Sequence, residues 1–334
     1  MTKPRLIVSA PDQFNNDSVS FRLPWIRPVI SQYFDIVDYT PGGTYNPATD
    51  LVGVFYAYRE TTAEPWYAEL EQAGHRVVVD HLWDSDVALT PYTQGNHLIM
   101  HCPNWMWYLS CREFTHYGYD SYVPNRGRGS AFLMLMNNPR WHRDAIIPML
   151  DNGVVNNAVY SYNSRGKHLE NDRPEYLSNG LKEVSWQRYM NPQWYDNTAF
   201  SVVVESYMRN TIDTSGMRTE VSEKIFKPLA HWHPFVVAGS VDTLKYLKAQ
   251  GFATFDNLFD ESYDDILDDR IRLATVCNTI DEMTKEWQKH KFEYSLETQQ
   301  RVKHNHYHFF NHTYVDQQIV KEIVEPMLEF VNKL

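Results

Sequence analysis

Residues 221–239 read VSEKIFKPLAHWHPFVVAG, and this stretch decides the fold. Residues 234–238 (PFVVA) are an apolar run of strand length with no polar break, as in strands buried on both faces. Ahead of them, Ser222-Glu223-Lys224 stands where a helix begins, with a serine in the capping position and an acid in the first turn. Upstream, residues 200–205 (FSVVVE) form a second continuous apolar run that ends in a carboxylate, Glu205. Downstream, Ser240 is placed to cap a helix that Gly251 ends. Strands alternating with helices imply parallel strands joined by crossovers. In an open parallel sheet, ligands bind outside the carboxyl ends of the strands, beside helix N-termini that favour anions. Glu205, Glu223 and Lys224 therefore fall where a phosphorylated ligand binds.

The same alternation runs through the rest of the chain. Strands are expected near 6–10, 36–39, 52–58, 77–81 and 98–101, with helices near 21–33, 64–73 and 105–117. Residues 125–129 (NRGRG) are rich in glycine and charge and read as a linker. The pattern then restarts with strands at 132–136 and 158–162 and a helix near 143–150. Ile319, Ile323, Met327 and Val331 make a helical stripe at the C-terminus. The expected organisation is a Rossmann-like domain over 1–125, a second over 130–312, and a terminal helix over 313–334 that packs back across the cleft between them.

Composition bounds the function. A chain of 334 residues is long enough for two domains with separate cores. A net charge of −11 gives no global attraction to nucleic acid or anionic lipid, although Arg126, Arg128, Arg140 and Arg143 form a local basic cluster in sequence. No apolar run suggests a secretory signal or membrane anchor, so a cytoplasmic protein without membrane insertion is expected. Cys102, Cys111 and Cys277 match no metal or disulfide spacing. Phosphate-loop, nucleophile-elbow and G-x-G-x-x-G motifs are absent from the sequence, which leaves kinase, hydrolase and dehydrogenase readings unsupported.

The order FSVVVES…TEVSEKIFKPLAHWHPFVVAGS resembles the nucleotide-sugar domain of fucosyltransferase-like glycosyltransferases of the GT-B type. Two further segments follow that family's order: 104–124, from Asn104-Trp105-Met106 to Tyr122-Val123-Pro124, and 132–143 (FLMLMNNPRWHR). Together the three touch roughly the middle half of the chain. The resemblance implies an α/β, GT-B-like fold of two Rossmann-like doubly wound domains. It implies a nucleotide-diphosphate sugar as co-substrate, no other cofactor, and inverting, metal-independent transfer. It places Lys224 on the donor diphosphate. Glu223, Glu205 and Ser222 belong to the same donor site, the two glutamates on the ribose or base side.

Glycosyl transfer needs charge neutralisation on the leaving diphosphate, a base for the acceptor hydroxyl, and positioning of both sugars. Lys224 at a helix N-terminus answers the first need, and Arg140, Arg143 or Arg165 completes a phosphate clamp. The base is expected from the other domain. Asp80, at the end of the 77–81 strand, and Asp84, in DHLWDSD, are the candidates, with Asp12 and Asp17 behind them. The family's Ser-Pro after this carboxylate is missing, which leaves the choice between Asp80 and Asp84 open. Asp84-Ser85-Asp86 also reads as a D-x-D, the pair with which GT-A transferases hold a divalent cation. The histidines of residues 304–312 (HNHYHFFNH) lack partners at zinc-ligand spacing, and His231 and His233 read as packing residues. The expected acceptor is a glycan or lipid-linked saccharide; a hydroxylated DNA base is the alternative, and a non-catalytic nucleotide- or sugar-binding module is a third reading.

Overall fold

The computed structural model describes residues 3–8, 23–57, 65–81, 92–100, 102, 104–125, 127–169, 190–208, 221–290 and 293–333. They fall into two compact α/β units. One takes the described residues up to Glu113 and again from Asn311, and the other those from Phe114 to Phe310.

In the first unit the strands are β1 (Arg5–Val8), β2 (Asp35–Asp38), β3 (Asp50–Ala57), β4 (Arg76–His81), β5 (Tyr92–Gln94) and β6 (His97–Met100). The sheet order is β2-β1-β3-β4-β6-β5, parallel throughout except for β5, which runs antiparallel to β6. Helices α1 (Leu23–Ile30), α2 (Pro65–Gln72) and α3 (Trp105–His116) are interleaved with the strands. The parallel strands are apolar because both faces are covered: Ile7, Val52, Val54 and Val77 pack with Tyr39 and Leu70 in one core. The antiparallel β5 is a departure from the expected pattern, and three residues are too few to show a periodicity in sequence.

The second unit contains β7 (Ser130–Met136), β8 (Ala158–Tyr162), β9 (Thr198–Val204) and β10 (Phe235–Ala238), in the order β10-β9-β7-β8 and all parallel. Its helices are α4 (Trp141–Met149), α5 (Asn152–Val155), α6 (Pro192–Asp196), α7 (Glu223–Ala230), α8 (Thr243–Ala249), α9 (Asp269–His290) and α10 (Leu296–Phe309). The chain winds outward from β7 to β8, then returns to the other side of β7 for β9 and β10. The strand order therefore reverses between β7 and β9, and a doubly wound sheet opens its ligand crevice at such a point. Every residue of β9 and β10 is buried. Phe132 stacks on Phe200 at 5.6 Å, and α9 closes the core against β7 and β10.

Two sequence expectations change here. Helix α8 starts at Thr243 behind Asp242, which holds a left-handed backbone at φ 60; Ser240 does not cap it. Ser240 instead offers its carbonyl to Thr243 Oγ1 at 2.7 Å. Residues 127–130, expected in or beside a free linker, are tied down: Arg128 N donates to Asp196 O at 3.0 Å and Ser130 N to Asn197 O at 2.9 Å. The terminal stripe forms α11 (His312–Ile319), a π-helical turn (Val320–Val324) and α12 (Glu325–Asn332), with Ile319, Ile323 and Met327 fully buried. This segment belongs to the first unit, where Asn104 Nδ2 donates to Glu322 Oε1 at 2.8 Å.

Candidate functional site

The site is built at the carboxyl ends of β7 and β9. Glu205 is the first residue beyond β9, and only 1% of it is exposed. A carboxyl group at that depth needs partners on its oxygens. Oε1 accepts the Ser222 N–H at 3.1 Å, and Oε2 accepts the Ser206 N–H at 3.1 Å and the Ser222 hydroxyl. Gly239, beyond β10, stands in a tight spot: a Cβ there would sit 3.1 Å from Val237 Cγ1 and 3.3 Å from Thr243 Oγ1.

Ser222 caps α7, as its position in the sequence implies. Its Oγ accepts the Lys224 N–H at 3.3 Å while donating to Glu205. That turn aims the Lys224 side chain back over the helix start. Lys224 Nζ donates to Ser206 Oγ at 3.0 Å, Ser222 Oγ at 3.0 Å and Glu223 Oε1 at 3.1 Å. Its three protons are held by two neutral hydroxyls and one carboxylate, and its side chain is 21% exposed. A charge held this way keeps its position and still reaches solvent.

Helix α4 braces the same strand end. With the helix starting at Trp141, its inward face is His142, Arg143 and Ile146, the set one turn apart. His142 Nε2–H donates to Glu205 O at 3.0 Å. Burial pushes its pKa down to about 4, so the ring is neutral at physiological pH. Arg143 Nη2 donates to Val204 O at 3.2 Å and Glu205 O at 2.8 Å, and Nη1 to Asn138 O at 2.9 Å. Burial lowers its pKa, and the facing Glu205 charge opposes that shift. These two residues fix the end of β9, where the sheet's own ladder stops satisfying carbonyls.

The structure thus joins Glu205, Ser222, Glu223, Lys224 and Arg143 in one network. Arg143, expected to grip phosphate, turns inward and braces backbone. Arg140 is exposed at the cap of α4, its guanidinium 5.6 Å over the Tyr207 ring. Arg165 is paired through Nε and Nη2 with Asp144 at 3.0 and 2.9 Å. Tyr162 OH also donates to Asp144, at 2.8 Å. Nor do the four arginines form one basic surface: Arg143 is 3% exposed, Arg128 stacks 3.8 Å over Tyr294, and Arg126 lies outside the described residues.

Asp80 is on β4, paired in register with Met100, and its side chain is not described. Asp12, Asp17, Asp84, Ser85 and Asp86 lie outside the described residues. Among the described residues, no group of three or more His, Cys, Asp and Glu is arranged to hold a metal ion. The C-terminal histidines meet protein groups. His304 and His308 face Gly251 O and Gln250 O at 2.8 and 2.7 Å, His306 faces Ala230 O and Asp120 O, and His312 meets Arg112.

Sequence reasoning missed Ser206 and His142. Ser206 carries a signal, as the polar residue next to the strand-end glutamate. His142 carries one only once the start of α4 is fixed at Trp141.

No protein-family model matches the chain, and no curated protein is similar to it in sequence. Among solved structures, it is similar to a point mutant of the T4 phage protein BGT in complex with UDP-glucose. The two are 8% identical with a TM-score of 0.41, over 96% of this chain and 99% of that one.

Proposed function

We propose that this protein is a glycosyltransferase that moves a sugar from a nucleoside diphosphate to a hydroxyl acceptor. One observation carries the reading. A lysine, held by two serines and a glutamate at the start of α7, stands beside a buried carboxylate at the point where the strand order reverses. Lys224 and Arg140 are the cations of this edge that reach solvent, and a pair of positive charges suits a diphosphate.

In the proposed reaction the acceptor oxygen attacks the anomeric carbon and loses its proton to a carboxylate, Asp80 or Asp84. The bond from that carbon to the diphosphate breaks, and the electron pair leaves with the phosphate oxygen. Lys224 stabilises the charge that develops there, and a single displacement inverts the anomeric centre. Because the protein's own cation fills this role, the reading is metal-independent. A saccharide hydroxyl is the favoured acceptor: the chain carries −11, and Arg143 and Arg128 are committed to protein groups.

The test is donor turnover across a panel of nucleotide sugars, with and without EDTA. Sugar release or transfer that survives EDTA is expected. Loss of activity with EDTA, restored by Mn²⁺, favours a metal site at Asp84 and Asp86. Nucleotide binding with neither hydrolysis nor transfer indicates a binding module. Salt-steep binding to DNA moves the acceptor to a nucleic-acid base.

A further inference from the structure

We propose that Trp141 is the stacking surface for the donor's nucleobase, an inference that rests on the donor reading above. Tryptophan is costly to leave in water, and Trp105, Trp107 and Trp287 are each 1% exposed. Trp141 is 46% exposed. A lone exposed apolar side chain is ordinary in a folded protein; its location is what distinguishes this one.

Trp141 opens α4, one residue ahead of the His142 and Arg143 pair that grips the end of β9. Its ring meets the ring of the neighbouring His142 edge-on at 5.6 Å, and His142 is bonded to the Glu205 carbonyl on the carboxyl edge of the sheet. Arg140, immediately before it, lies over Tyr207, two residues beyond Glu205. An exposed indole, an exposed guanidinium and a half-buried phenol therefore occupy the two segments that leave β7 and β9. Lys224 holds the same edge through Ser206. A nucleoside diphosphate has this division of chemistry: an anionic end for Lys224 and an aromatic face for Trp141. Stacking on an aromatic ring accepts any base, so this contact supplies affinity while leaving base identity to other groups.

The test is calorimetric titration of wild type, W141A and W141F with UDP, GDP, ADP and inorganic pyrophosphate. W141A should weaken whichever nucleoside diphosphate the wild type binds by about 5- to 100-fold, the range of base–aromatic stacking. Pyrophosphate, which has no base, should bind all three proteins equally, and W141F should stay close to wild type. Nucleotide should also quench tryptophan emission in the wild type and lose most of that quenching in W141F, while binding persists. Equal nucleotide affinity in W141A, or a parallel loss of pyrophosphate, overturns the proposal. If W141A melts well below wild type, the emission of W141F decides, and unchanged quenching overturns the proposal. A wild type that binds none of the nucleotides overturns the donor reading itself, and this inference with it.

Discussion

The two ends of α7 are built for different purposes. At its start, Ser222, Glu223 and Lys224 form a polar, partly solvated network around the Glu205 carboxylate. At its end, His231 is 1% exposed, stacked on Tyr195 at 4.2 Å with Tyr122 and Tyr119 at 4.8 and 5.2 Å. His231 Nδ1–H donates to Lys227 O at 3.0 Å, and His233 bonds Ser201 Oγ at 2.7 Å and Thr198 O at 2.8 Å. Histidine is the residue associated with proton transfer, yet here it fills the core, while serine and lysine hold the polar, partly solvated edge. Burial pushes the pKa of His231 down to about 3, so it stays neutral as a packing ring. Residue type alone does not mark a site; solvent access and the direction of the polar atoms do.

Substitutions at the two ends of α7 should have opposite effects. If Lys224 neutralises the leaving diphosphate as proposed, K224A should lower turnover about 100- to 1,000-fold, the scale of losing one preorganised charge partner. Its unfolding midpoint should fall less than that of H231A, because Lys224 and Glu223 keep part of their surface in solvent. H231A should do the opposite. Losing a buried ring with three aromatic neighbours should cost about 2–4 kcal/mol in urea unfolding, with the activity of the folded fraction retained. An H231A protein that is stable but inactive would reverse the assignment.

Acid should act on the packing histidines. His142 and His231 have folded pKa values of about 4 and about 3, below the ordinary histidine value. The unfolded chain therefore binds protons that the folded one refuses. Their contribution is present above about pH 6.5 and is lost as pH falls below it, by on the order of 1–2 kcal/mol for each ring at pH 5. Urea unfolding at pH 7.5 and 5.0 checks this, and H142Q should flatten the slope. Stability that rises on acidification would contradict the neutral-ring account. The smallest effect belongs to the exposed Arg165–Asp144 pair, half in solvent on both sides. R165A should leave the unfolding midpoint unchanged, as surface ion pairs do. A clear loss of donor affinity in R165A would extend the binding edge to β8.

Much of this second unit is legible in the sequence. The runs FSVVVE and PFVVA read as buried strands because nothing polar interrupts them, and β9 and β10 are buried throughout. Glu205, Ser222 and Lys224 are legible because a polar residue at the end of such a strand, or at a cap, has few other places to go. Arg140 and Arg143 are not separable that way. They are three apart, and which one faces inward depends on where α4 starts, which a proline–arginine turn leaves ambiguous in sequence. Ser240 misleads for a related reason: serine is a good cap, but Asp242 adopts the left-handed backbone, and the helix begins behind it. Helix α9 spans 22 residues yet carries polar residues on most of its surface, so its stripe of Leu273, Val276, Ile280 and Trp287 is thin.

The proposed function stands or falls with binding of a nucleoside diphosphate by Lys224 and its partners. The most direct test is calorimetry of wild type and K224A with GDP, UDP and ADP. The account predicts saturable binding of one of them to wild type, weakened at least tenfold in K224A, as expected for a charge-assisted contact to phosphate. Equal affinity in the two proteins, or no binding of any nucleotide to the wild type, would contradict it.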